Sequence, residues 1–274
     1  MKCDKITALI FVGVLAVNSW GAPTGWAEIY EDWYELKETH FIIKYKESKD
    51  VSLAHDILRK AEEYYNKIAY QIGYARYQDF WTWDDRVKII LFSDQKSFTD
   101  TTGQPEWSAG FASRHSNLFK SRAIVTFKQE NNFLEGLLPH EISHLIFRDM
   151  IGFDRDIPVW LDEGVAQLPE SHQDIMERVM RYLVGQNQHI PFDQFFAMDI
   201  QKETDGQKVM IYYAQSYTLV KYMIKSQGQD AFFELCRNLR EGKNFEEALR
   251  SSFYPSIESL HDLEKKWAVY MTSS

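Results

Sequence analysis

Between residues 40 and 128 short apolar runs alternate with a longer amphipathic stretch. HFIIKY (40–45), VKIILF (87–92) and AIVTF (123–127) have the length and β-branched content of strands. Leu53, Ile57, Ala61, Tyr64, Ile68 and Ile72 recur at helical spacing between the first two, so one face of a helix there is apolar. After Asn131 the period becomes 3.6 almost throughout. Helices are expected at about 133–150, 158–168, 173–185, 213–227, 230–241, 244–252 and 256–271, with Gly152, Gly228 and Gly242 as C-terminal stops. The pattern is that of an α+β protein, sheet first and helices after. The helix positions Val179, Leu183, Leu219, Met223, Ile224, Leu260, Leu263 and Trp267 read as packing residues.

Composition narrows the function classes. The 274 residues are 45% hydrophobic and 26% charged, with a net charge of −9, which argues against nucleic acid as a partner because no basic stripe is present to meet a phosphate backbone. Lys2 and Lys5 precede the uncharged run Ile6–Val17, too short to span a bilayer comfortably but suited to the apolar part of an export signal. Gly25 and Ala27 suit the −3 and −1 positions of a cleavage site, so residues 1–27 read as a signal peptide and 28–274 as the mature, extracytoplasmic protein, periplasmic or secreted. Membrane association is expected only if that segment is kept as an anchor. Within 28–274 no repeat or linker intervenes, and the chain reads as one catalytic domain with a sheet-containing part (28–130) and a helical part (131–274). Cys3 falls ahead of the apolar run, and Cys236, among Phe232, Phe233 and Leu239, reads as a buried small hydrophobe.

The candidate chemistry sits in His140-Glu141-Ile142-Ser143-His144. Residues four apart on a helix lie about 40° apart around the axis, so both imidazoles can grip one metal while Glu141 stands beside it as a base. Eighteen residues past His144, Glu163 lies on a second expected helix that begins near Pro158. Two histidines and one carboxylate, with a fourth position left for water, are the ligand set of a catalytic zinc ion (Zn2+) rather than a closed structural one.

With the motif and its spacing in view, the chain resembles the gluzincin metallopeptidases of the peptidase MA-like superfamily, whose pattern is HExxH, eighteen residues, then a glutamate in a segment like WLNEGxA. Here that segment is WLDEGVA (160–166). The resemblance covers about 40–271 and is dense in 137–168 and 212–228. It implies a zincin-like, thermolysin-like catalytic domain with an N-terminal mixed sheet, an active-site helix and a C-terminal helical part. It also implies zinc held by His140, His144 and Glu163, with Glu141 as general base and a peptide or protein as substrate. YAQS (213–216) looks like the segment whose tyrosine hydrogen-bonds the transition-state oxyanion in the larger aminopeptidases, which gives that role to Tyr213 by resemblance, with Tyr212 and Tyr217 as competitors.

The chain departs from that pattern in three places. The glycine-rich motif that binds a substrate's free amine is missing upstream of the helix. Pro139 directly precedes His140, so the helix must start close by or bend there. Asp162 replaces the usual asparagine and reads as a solvated or capping carboxylate, although Asp162 and Gln167 are also candidates for orienting the histidines. In such folds Ala123–Phe127 would be the sheet edge, open to an added peptide strand. Trp107–Gly110 lies near it or is simply a core tryptophan and a turn glycine. His40, His55, His115, His172, His189 and His261 have no ligand-like spacing. Two readings follow: an exported zinc peptidase, or a non-catalytic peptide-binding or assembly factor of the cell envelope that keeps the frame. The intact Glu141 favours the first.

Overall fold

The computed structural model describes residues 32–74, 81, 85–106, 108–113, 122–129 and 133–273. The expected signal peptide and its cleavage site, Cys3, Trp107 and His115 lie outside the described residues.

Two compact units emerge, one drawn from residues up to Lys67 and from 77 to Leu145, the other from Ile68 to 76 and from Ile146 onward. The first holds a five-stranded mixed sheet in the order β1-β2-β3-β5-β4. Its strands are β1 (Tyr34–Lys37), β2 (Phe41–Tyr45), β3 (Val87–Phe92), β4 (Gly110–Ser113) and β5 (Ala123–Phe127). β2, β3 and β5 run parallel, in register at Ile43, Ile89 and Ile124, and β1 and β4 flank them antiparallel. Central β3 is buried almost throughout, while β2 alternates buried and half-buried residues as a strand covered mainly on one face does.

α1 (Val51–Gln71) connects β2 to β3. Its buried residues Ala54, Ile57, Leu58, Ala61, Tyr64, Tyr65 and Ile68 recur every three or four positions, so the helix hides one stripe and wets the other. Each such aliphatic side chain contributes roughly 1.5–3 kcal/mol of transfer free energy when fully buried. His40, just ahead of β2, is tied to that helix, its backbone N–H and Nδ1 lying 2.7 and 2.6 Å from the Glu62 carboxylate. On the other sheet face Ile90, Phe92, Ala123 and Val125 enclose Phe98 of α2 (Gln95–Thr102).

The sheet corrects one expectation. Ala123–Phe127 is an inner strand, because Gly110–Ser113 pairs along its outer side. Gly110 is accordingly a strand residue and not a turn. A Cβ there would lie 2.9 Å from the Val125 carbonyl oxygen and 2.8 Å from Leu137, so only glycine lets the backbone come this close.

A π turn, Phe133–Leu137, leads into α3 (Leu138–Ile151). In a continuous α-helix the Pro139 ring would collide with the carbonyl of residue 135, four positions earlier, and that residue lies inside the wide turn. Pro139 thus falls in the first turn of α3, where its missing N–H costs nothing.

The second unit is helical: α4 (Val159–Ala166), α5 (Gln173–Gly185), α6 (Phe192–Ala197), α7 (Gly206–Gln227), α8 (Gln229–Arg240), α9 (Phe245–Phe253) and α10 (Leu260–Thr272). Gly152, Gly228 and Gly242 all have positive φ just past helix ends, as the sequence leads one to expect. α7 starts seven residues before the expected 213, capped by the Asp205 carboxylate accepting from the Gln207 N–H at 2.9 Å. Cys236 is fully buried on α8, and burial pushes its thiol pKa well up. Among the described residues no helix is long and apolar enough to cross a membrane.

Candidate active site

The two histidines of α3 stand one turn apart on the buried side of the helix. Their Nε2 atoms are 3.1 Å apart and the rings are nearly perpendicular, at 78°. The Ser143 hydroxyl donates to the Pro139 carbonyl one turn back, at 2.8 Å. His140 and Glu141 are fully buried, His144 and Glu163 nearly so. One ligand atom from each of His140, His144 and Glu163 lies within 4.8 Å of the others, and no second such group of three occurs among the described residues.

The donor set fits zinc. A tetrahedral ion with donors at about 2.0–2.2 Å holds neighbouring donors roughly 3.3 Å apart, close to the spacing of the two imidazole nitrogens. Two neutral nitrogens and a carboxylate oxygen leave one position open, which is a hydrolytic arrangement and not a structural one.

Glu163 is delivered by α4, a helix of only two turns whose residues from Trp160 to Ala166 are all buried. A Cβ on Gly164 would fall 2.5 Å from the Ser216 carbonyl oxygen and 2.6 Å from Val220, so the absent side chain lets α4 lie directly on α7. That contact brings Glu163 alongside the tyrosines of α7. The sequence offers no sign of this contact beyond the glycine itself, since glycine at this place is also compatible with a helix end.

Asp162 is not solvated. It is buried, and Arg148 of α3 donates to its Oδ2 from Nε at 2.9 Å and from Nη2 at 2.5 Å. An aspartate in the first turn of a helix looks like an exposed cap from sequence; its partner, fourteen residues earlier, is visible only in the fold. Gln167 is also buried.

The three tyrosines of α7 separate by environment. Burial raises the Tyr213 pKa far above the ordinary phenol value, and the charges of Glu163 and Glu170 add to it, so its hydroxyl keeps its proton and can donate. Tyr212 is raised by burial and by Glu163 as well, but its ring lies against Phe195, with centroids 5.0 Å apart. Tyr217, one turn beyond Tyr213, is already engaged: its hydroxyl accepts from Lys221 at 3.0 Å, and Lys221 is paired with Glu177 of α5. Glu170, buried and close enough to act on Tyr213, escaped the sequence reading because a lone glutamate in a loop carries no spacing signal.

A mixed sheet followed by helices, with a buried His-His-Glu group of this spacing, defines the zincin class of metallopeptidases. The family model of the Peptidase MA superfamily matches residues 82–273, and the chain belongs to that superfamily. No curated protein matches it.

Proposed function

We propose that this chain is an exported zinc-dependent peptidase in which His140, His144 and Glu163 hold the metal, Glu141 is the general base and Tyr213 is a hydrogen-bond donor to the reacting carbonyl. The observation that carries the proposal is the buried group of three ligand atoms within 4.8 Å, with a fully buried carboxylate at the position after the first histidine. When bound, zinc supplies Lewis acidity toward the scissile carbonyl and acidifies a water molecule. The residues do the rest. Glu141 takes a proton from the attacking water at its carboxylate and passes it to the leaving nitrogen. Tyr213 donates from its hydroxyl to the carbonyl oxygen as negative charge gathers there, an interaction stronger in the transition state than in the bound substrate. Burial of the site keeps bulk water from weakening that bond.

The decisive experiment is hydrolysis of a mixed peptide library by wild-type protein, the Glu141→Gln variant and a chelator-treated sample. Cleavage by metal-loaded wild type alone supports the reading, and its fragments report the specificity. Stoichiometric zinc without any cleavage would turn it toward a peptide-binding or assembly factor. Export is supported by the apolar run 6–17 and is checked separately: N-terminal sequencing of material from the cell envelope or medium should start near Glu28, and a chain beginning at Met1 in the cytoplasm would refute it.

A further inference from the structure

Glu163 stands between two residues that are each fixed in a direction. Asp162, before it, is gripped by the guanidinium of Arg148; Gly164, after it, lies against the backbone of α7. The other buried side chains of α4, those of Trp160, Leu161, Val165 and Ala166, are apolar, and burial of this kind is strong but non-directional. Arg148 follows His140 and His144 at the same four-residue interval, so the anchoring cation and the two histidines belong to one stripe of α3. A guanidinium donating two hydrogen bonds to one carboxylate oxygen fixes angle as well as distance, which a lysine cannot do.

We infer that the Arg148–Asp162 pair is a positioning device: it sets where α4 presents Glu163 to the histidine helix, and thereby sets the affinity of the site for its metal. Arg148 and Asp162 are positioning residues and touch neither metal nor substrate in this role. The aspartate at 162, where the resembled pattern has asparagine, is then the counterpart of an arginine at 148. The inference rests on Glu163 being a metal ligand.

The test measures zinc dissociation constants of the full chain by competition with a chromophoric chelator, alongside the melting temperature of each zinc-free protein and kcat and KM on a cleaved peptide. Arg148→Lys keeps the charge and loses the fork; zinc affinity should fall about tenfold, within the range seen when groups behind metal ligands are removed, and kcat should fall more than KM rises. Arg148→Met should cost more affinity, up to about a hundredfold. The double variant Arg148→Gln with Asp162→Asn replaces the ion pair by a neutral hydrogen-bonding pair and should recover affinity to within about threefold of wild type. Should Arg148→Met fail to fold, Arg148→Lys decides. Zinc affinities within about twofold of wild type in the single variants, whatever their melting temperatures, would reduce the pair to a stabilising contact and overturn the inference. A wild-type chain that binds no zinc removes both this inference and the reading beneath it; normal binding by every variant removes this inference alone.

Discussion

Helix α3 carries two candidate ligands four residues apart, so its own backbone sets their separation; α4 carries the third, and its place depends on residues far away in sequence. The Nε2–Nε2 distance of 3.1 Å follows from helical pitch and two side-chain rotamers. Glu163 depends instead on Arg148, Ser216 and Val220. Half of the site is therefore local and robust, and half is tertiary and can be lost without any change to a ligand.

Substitutions can drive these halves apart. The largest effect is expected at the local half: Glu141→Gln should lower kcat by about a thousandfold, within the range for a lost general base, while zinc content stays stoichiometric. Metal analysis beside steady-state kinetics checks it, and retained turnover would remove Glu141 as the base. Tyr213→Phe should lower kcat by about a hundredfold with KM nearly unchanged, as for one lost donor to a developing oxyanion. Tyr217→Phe, whose hydroxyl is engaged by Lys221, should leave kcat within about threefold. On the tertiary half, Gly164→Ala should cost about 2 kcal/mol in chemical denaturation, because the new methyl meets a backbone carbonyl. Unlike a merely destabilising change, it should also weaken zinc binding. A smaller loss of stability, about 1 kcal/mol, is expected for Glu177→Gln, which should leave zinc affinity alone. Burial by itself would raise the Glu177 carboxyl, but Lys221 and Arg181 outweigh it and hold it below its ordinary value of 4.5. Its stabilisation is thus present above that value and lost as pH falls through the lowered one, so wild type and variant should converge in melting temperature on acidification.

What the sequence discloses follows the same division. α1, β2, β3 and the helices ending at Gly152, Gly228 and Gly242 are legible because each repeats a periodic apolar signal over enough residues or ends in a residue that allows positive φ. β1 and β4, four residues each, are not: they are strands because a neighbour offers hydrogen bonds, and no pattern of their own says so. The edge position expected of β5 followed from the family resemblance, and β4 occupies it instead. α2 buries only Phe98, too little for a stripe. The π turn hides inside an apolar run that reads as one continuous helix from 133. In the site, His140, His144 and Glu163 can be found by spacing, whereas the burial of Asp162 and the closeness of Glu170 to Tyr213 depend on contacts between distant segments.

Cys236 turns the core of α8 into a clock. Its thiol is buried and reluctant to ionise, so an alkylating reagent reaches it only when that helix opens. The labelling rate then reports the population of open molecules under native conditions, with no dye or engineered probe. Comparing that rate with zinc present and withheld would read, from one sulfur atom, how much of the metal's binding free energy is transmitted to a helix that supplies no ligand.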